Sequence, residues 1–306
     1  MRTAFINTIS ELAERDKDVC LVTGDLGFSV FENFIDRFPD QYLNVGVAEQ
    51  NLVGLAAGLA LLGKKPFVYS ISTFISMRPY EQIRNDVCYQ NLPVVLIGVG
   101  STFSYSTFGC THFPLEDLAI MRVLPNMRVT CPGDPKEVEM LLRQLYEKPG
   151  PAYMRIAKKG EPLINRSNKK ITLGNFSKIS PGRDVTIIST GCLLPNVVAA
   201  QEFLRKEGIR ARVLSAHTIK PLDERSIVAA ARETKAIIVC EEHSVLGGLA
   251  GAIAEVMVKF GVSIPVRTLG VPDEFPKGVG SQDYFLQRYS LTPEGIAKTA
   301  KAVFQS

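Results

Sequence analysis

Short apolar runs alternate with amphipathic stretches along the whole chain. Val19–Thr23 (VCLVT), Pro66–Ile71 (PFVYSI) and Leu92–Val99 (LPVVLIGV) have the length and β-branched content of buried parallel strands. A strand ending at Arg155 completes this first set, and Asp184–Thr190, Ala211–Leu214 and Ala236–Cys240 repeat the pattern. Helical stretches lie between them. Phe5–Arg15 places Phe5, Ile9, Leu12 and Ala13 on one face, Leu194–Glu207 stops at Gly208, and another helix follows Gly247-Gly248. Asp134, Pro135 and Glu137 read as N-cap, first helical residue and capping-box partner of a further helix. Strands alternating with helices predict α/β domains with mainly parallel sheets.

One stretch departs from the common amphipathic pattern. Leu43, Val45 and Val47 alternate with Asn44 and Gly46, which predicts a short strand. Glu49-Gln50-Asn51 follows at a turn, and an apolar run continues to Leu62. Leu52, Leu55, Leu59 and Leu62 form one helical face while Val53, Ala56, Ala57 and Ala60 fill the other, a pattern that implies burial on all sides. The run is too short for a bilayer, which needs about 20 residues. Gly54, Ala57, Gly58 and Leu61 are spaced to admit a second helix, with a contact between subunits as one option. Glu49 therefore stands at the mouth of a buried helix. It either completes the helix N-terminus, gaining about 0.3–1 kcal/mol from the dipole, or is a desolvated carboxylate with a raised pKa, suited to acid–base work.

At 306 residues the chain exceeds the usual single core, so two domains are expected. We place them at 1–160 and 183–306, joined by a polar linker over 161–182 with a hairpin near Gly174. A hydrophobic fraction of 46% and a net charge of +4 with scattered Lys and Arg suit a globular protein and suggest neither nucleic acid nor membrane as partner. Cys20, Cys88, Cys110, Cys131, Cys192 and Cys240 form no C-x-x-C pair, so neither zinc nor a redox pair is signalled. With no leader visible at Met1-Arg2, the free cysteines argue for the cytoplasm.

The string GVAEQN (46–51) before an Ala/Gly-rich helix resembles the pyrimidine-binding domain of transketolase-like thiamine diphosphate enzymes. The resemblance implies that Glu49 hydrogen-bonds ring nitrogen N1′ of the aminopyrimidine and activates the cofactor. Gly24-Asp25-Leu26-Gly27 resembles the Asp-Leu pair beside the thiazolium, with Ser29 and Arg2 at the family's phosphate-binding positions. The TF…R-x-Y-x-Q pattern at 73–82 resembles the segment whose aromatics pack on the pyrimidine. Phe74 and Tyr80 match it, and Met77 stands where many members have phenylalanine. G-x-T-H-x-P-x-E-x-L-A at 109–119 is similar to the loop whose histidine, here His112, reaches cofactor and donor ketose. Arg155 matches a further phosphate-binding arginine. Upstream of His112 the family carries a histidine and an aspartate that contact substrate hydroxyls. Gly100 and Phe108 take those places here, which points to an unusual sugar such as a deoxy or amino one.

Gly133-Asp134 with Asn165 resembles the G-D-G…N magnesium motif only in part. The third glycine is missing and a capped helix explains the residues, so no metal site is assigned to this chain. The second half resembles the C-terminal domain of transketolases and of 2-oxo-acid dehydrogenase beta subunits, a structural and dimer-forming unit. His217 and His243 accordingly receive no catalytic role. Taken together, the resemblance implies two consecutive doubly wound α/β domains with mainly parallel sheets. It covers two of the family's three domains. It thus implies one subunit of a split transketolase, moving a two-carbon ketol unit between sugar phosphates. A partner chain would supply the domain that ligates Mg2+ and the diphosphate of thiamine diphosphate, within an α2β2 assembly in which this chain self-associates as a dimer. A decarboxylating thiamine enzyme (1-deoxyxylulose-5-phosphate synthase-like or a 2-oxo-acid dehydrogenase beta subunit) and a non-catalytic scaffold are the alternatives.

Overall fold

A computed structural model describes residues 1–158, 160–165 and 170–305. Its strands are β1 (Val19–Thr23), β2 (Tyr42–Asn44), β3 (Lys65–Ile71), β4 (Val95–Val99), β5 (Arg128–Thr130) and β6 (Ala152–Ile156), then β7 (Ser177–Ser180), β8 (Val185–Ser189), β9 (Ala211–Ser215), β10 (Thr218–Lys220), β11 (Ile237–Ser244) and β12 (Val266–Val271). They build a seven-stranded sheet of order β10-β5-β6-β4-β3-β1-β2 and a five-stranded sheet of order β12-β11-β8-β9-β7. Within the first sheet every pair is parallel except β10–β5, and within the second every pair is parallel except β7–β9. Helices such as Arg2–Arg15, Glu49–Leu61 and Pro135–Glu147 cover the first sheet. This is the two-domain α/β arrangement expected. No helix among the described residues is long and apolar enough to cross a membrane.

Five local expectations change. The alternation through Val47 does not extend the strand, because β2 ends at Asn44. The Asn44 Oδ1 accepts from the backbone N–H of Asp25 and of Gly46, and Gly46 at φ 74° turns the chain into the next helix. The 161–182 segment is not linker throughout: its last residues form β7, which pairs with β9. Gly174 lies in a turn closed by Asn175 N–H to Thr172 O, and no hairpin across it occurs among the described residues. β11 runs on to Ser244, so Glu241, Glu242 and His243 belong to a buried strand rather than to the loop after it. Finally, the Glu49–Leu61 helix is not enclosed by this chain. Leu52, Val53, Ala56, Ala57 and Ala60 are buried, whereas Leu55 and Leu61 are exposed and Leu62 is 81% exposed. Apolarity on both sides of a helix gives burial only when something covers both sides.

The domains are sewn together where the chain passes from β9 to β10. Thr218–Lys220 leaves the second sheet and pairs with β5 of the first, and Cys131 N–H donates to His217 O. His217 is buried there, with Nδ1 on Thr218 Oγ1 at 2.9 Å and no hydrogen-bond partner for Nε2. Burial pushes its pKa down from 6.5 to about 4, against the attraction of Asp134 and Asp223. The unfolded chain therefore binds the proton first, and this residue contributes stability above pH 6.5 that is lost as pH falls toward 4. Two to three pKa units correspond to about 3 kcal/mol. Glu137, buried against Ser215 and Asn165, acts with the opposite sign because burial raises its carboxyl to about 7. The contribution of His217 is thus read as a difference. Chemical unfolding of wild type and His217→Gln at a series of pH values should show curves that diverge between pH 4 and 6.5, and parallel curves would count against this account.

Candidate active site

The carboxyl ends of β1, β2, β4 and β6 lead into the loops that begin at Gly24, Val45, Gly100 and Ala157, and β3 runs directly into the helix Ser72–Met77. Parallel α/β sheets place ligand sites along this edge. Backbone bonds hold the loops together: Val45 N–H donates to Thr23 O, and Gly100 N–H to Ile156 O.

Glu49 opens its helix at this edge and is 3% exposed. A carboxylate taken out of water needs a countercharge or donors. Arg78 supplies the charge, its Nη1 lying 2.8 Å from Oε2, while Ser70 Oγ stands 3.4 Å from Oε1. Arg78 itself is 46% exposed and its guanidinium carbon lies 3.8 Å from the Phe74 ring centroid. A flat cation therefore fills the gap between a buried carboxylate and a phenyl face.

Phe74 leads on to His112, whose ring meets it edge-on at 5.1 Å. Phe108 stacks on the same imidazole at 5.0 Å, and Tyr105 stands 6.2 Å away. Thr111 Oγ1 pairs with His112 Nδ1 at 3.0 Å, which leaves Nε2 for a ligand. Burial, and then the nearby Arg78 charge, lower the His112 pKa below the ordinary 6.5, so the imidazole is neutral near pH 7. On the far side of Tyr105, the Lys158 ammonium lies 4.5 Å from its ring centroid. Arg2 Nε donates to Lys158 O at 2.6 Å and meets the buried Tyr69 hydroxyl. The fold thus brings Glu49, Phe74, His112 and Arg2 into one row through Arg78, Tyr105 and Lys158.

Other expected residues stand differently. Asp25 and Ser29 lie on the exposed loop after β1, both at positive φ (57° and 60°), with Asp25 Oδ1 accepting from Asn44 Nδ2 and Ser29 N–H donating to Glu32 Oε1. Met77 is exposed beside Phe74. Tyr80 packs against the core and donates its hydroxyl to Ile120 O, so it braces the segment from behind. Arg155 corrects an expectation. It is 2% exposed, pairs with the buried Asp117 at 2.8 Å, and donates to Pro114 O and Glu242 O. Its Nη1 and Nη2 join β6 to the loop before the Asp117–Arg122 helix, to that helix and to β11, while Nε is buried without a partner, so the guanidinium is enclosed at this seam rather than open to a substrate phosphate. Asp134 does cap its helix, Oδ1 accepting from Glu137 N–H, while Oδ2 accepts from the backbone of Ile164 and Asn165. His217 and His243 are both buried at the domain seam, His243 with Nδ1 on Ser244 O and Nε2 facing Ala119 N–H.

Three residues in the row carried no role in the sequence reading. Arg78 lay within the R-x-Y pattern, four residues after Phe74, a helical spacing that could have paired them. Lys158 lies two residues past β6, and a lysine just past the carboxyl end of a parallel strand is a usable signal. Tyr105 left no local pattern. Its place follows from Gly100, where φ is 102° and an added Cβ would sit 2.5 Å from the tyrosine ring.

Residues 1–161 match the family described as transketolase, pyrimidine binding domain, and residues 174–296 match transketolase, C-terminal domain. The chain is 38% identical over 301 residues to an apulose-4-phosphate transketolase subunit of Phocaeicola vulgatus, a match covering 98% of this chain and 96% of that one. It is 35% identical over 304 residues to the 6-deoxy-6-sulfo-D-fructose transketolase subunit SqwH of a Clostridium species, covering 99% and 94%. Against the 1-deoxy-D-xylulose-5-phosphate synthase of Symbiobacterium thermophilum it is 36% identical over 304 residues but spans only 46% of that enzyme. A solved structure named as a split gene transketolase, inactive beta4 tetramer, superposes with a TM-score of 0.92 at 34% identity, covering 99% of this chain and 98% of that one. The two domain matches and the near full-length relatives show that the chain belongs to the transketolase family.

Proposed function

We propose that this chain is one subunit of a thiamine diphosphate-dependent transketolase, transferring a two-carbon ketol unit between sugar phosphates. The arrangement of Arg78 carries the reading. Its guanidinium, a flat hydrogen-bond donor, sits 2.8 Å from Glu49 Oε2 and 3.8 Å from the Phe74 centroid. An aminopyrimidine needs the same two contacts, a carboxylate on its ring nitrogen and an aromatic face. Arg78 is exposed enough to swing aside for it. The cofactor, when bound, supplies a carbon acid able to add to a ketose carbonyl. Glu49 holds and polarises the pyrimidine ring, and Phe74 with Met77 walls it from water. Neutral His112 takes or returns the proton of the substrate hydroxyl through Nε2. Arg2 and Lys158 attract the phosphate, with Ser29 and Asp25 on the adjoining loop. Arg155 is left out of this set.

No group of three His, Cys, Asp or Glu side chains able to hold a metal occurs among the described residues. We assign Mg2+ and the diphosphate to a partner chain carrying the remaining domain. The exposed apolar face at Leu55, Leu61 and Leu62 fits a protein contact in an α2β2 assembly. The relatives of matching length are named as subunits, which supports a two-chain enzyme. Decarboxylating condensation is the second reading, favoured by the match to half of a 1-deoxyxylulose-5-phosphate synthase. Purifying the chain with and without its partner decides both points: ketol transfer should require the two chains together. Full activity from the lone chain would refute the assembly, and a pyruvate-dependent release of carbon dioxide would select the second reading.

His112→Asn should lower kcat by about 100-fold, the usual scale for a positioned proton carrier. The sign of its pKa shift gives a second readout. The wild-type pH–rate profile should hold level down past pH 6.5 and fall only below it, and the variant should lose that limb.

A further inference from the structure

The loop that carries His112 belongs to the first domain by sequence and to the second by packing. Phe103, Phe113 and Leu115 are buried in a hydrophobic core whose other buried members come from residues 185–303. Phe103 stacks on Phe285 at 5.1 Å and 11° and on Tyr289 at 5.8 Å and 6°. Phe113 meets Phe103 and Phe285 edge-on, at 5.5 and 5.2 Å. Phe285 lies on the helix Gln282–Arg288 of the second domain and is fully buried. Polar contacts follow the same line. Thr102 Oγ1 donates to Glu242 O on β11, Ser244 N–H to Leu115 O at 2.9 Å, and Gly280 N–H to Ser106 O at 3.4 Å. The start, middle and end of the loop are therefore all held by the second domain.

His112 sits inside this anchorage. Cys110 and Phe113 bracket it, and both pack into the second domain's core, with Phe113 N–H on Cys110 O at 3.0 Å. Residues three apart share a face in so tight a turn. Seating 110 and 113 therefore leaves Thr111 exposed and sets the His112 ring against Phe74 at 5.1 Å. Phe74 belongs to the first domain, on the helix Ser72–Met77. The contact between these two rings is thus set by how the domains are joined. Resting on the transketolase reading above, we propose that Phe285 is a positioning residue: through Phe113 it holds the His112 imidazole in register with Phe74 and Glu49. The second domain then aligns the proton carrier of a site built on the first. Without the Phe285 ring, Phe113 loses one wall and His112, its neighbour in the chain, shifts with it. A misplacement of about 1 Å costs about 100-fold in rate. Arg2 and Lys158, which attract the phosphate, are outside this cluster, so substrate binding should change little.

The test uses the assembled two-chain enzyme with thiamine diphosphate and Mg2+, β-hydroxypyruvate as donor and glyceraldehyde 3-phosphate or ribose 5-phosphate as acceptor. Phe285→Ala should lower kcat by about 10- to 100-fold and leave KM for the acceptor nearly unchanged. Leu204→Ala, in the same core near the amino end of β9, should lower the unfolding midpoint as well but leave kcat in place. In a His112→Asn background, Phe285→Ala should cause little further loss, because a residue acting through His112 has nothing left to position. Equal losses in both backgrounds, or an unchanged kcat in Phe285→Ala, overturn the proposal. Where the alanine variant does not assemble, Phe285→Leu serves for the same cycle, with a smaller loss in the same direction. The free chain gives a readout without turnover. His112 is one of three histidines and the other two are buried, so its imidazole can be titrated by NMR. Burial, then the Arg78 charge, hold its pKa below 6.5 in wild type, and Phe285→Ala should raise it toward 6.5 as the ring leaves Phe74. An unmoved titration overturns the proposal too. Absence of ketol transfer in wild type overturns the transketolase reading alone, and the titration then still decides whether Phe285 places His112.

Discussion

Glu49→Gln should leave the assembled enzyme folded and able to bind cofactor while lowering kcat by about 1,000-fold. The amide has the size of the carboxylate and fits the same pocket beside Ser70. It cannot take up positive charge developing on a pyrimidine ring, and proton handling of this kind is worth about 100- to 10,000-fold. The substitution also removes the charge that holds Arg78, so the guanidinium should leave the Phe74 face in the free chain. Steady-state kinetics, with calorimetry of thiamine diphosphate binding, reads both effects. Unchanged turnover would reduce the chain to a scaffold and end the catalytic account.

Arg155→Met carries the second large effect, and it is one of stability. The Arg155–Asp117 pair is buried on both sides, and Tyr153 donates to the second carboxylate oxygen at 2.6 Å. Removing one partner strands the other charge in a low dielectric, at a cost of about 3–5 kcal/mol. Unfolding in guanidinium should report this loss, and Arg155→Met with Asp117→Leu should recover part of it, since the stranded charge is then gone. The same variant separates the two roles open to this arginine. A residue that grips substrate phosphate would raise KM and leave the unfolding midpoint in place. A residue that joins two domains does the reverse.

Much of the fold was legible because parallel strands buried on both faces read as continuous apolar runs, and β1, β3, β4, β8 and β9 lie within a few residues of where those runs place them. β10 was not legible. Three residues paired at the edge of another domain's sheet leave no periodic trace, since tertiary pairing decides them. At the site, the resemblance to transketolases singled out Glu49, Phe74 and His112, and the fold brings Phe74 and His112 into ring contact and links Glu49 to Phe74 through Arg78. The resemblance assigned Arg155 and gave Lys158 no role. Both are basic residues at the end of β6, and only the alternation of faces and the packing of the second domain turn one inward and leave the other at the cleft. The exposure of Leu55 and Leu62 was equally hidden, because composition registers apolarity and says nothing of what covers it.

The crossing of Thr218–Lys220 onto the far sheet makes the two lobes a clasp rather than beads on a string. Cutting the chain between the lobes would leave the amino-terminal fragment with a raw backbone edge along Arg128–Thr130. Such bare edges recruit other chains, so each lobe expressed singly should clump, and a nicked molecule should stay joined through native purification.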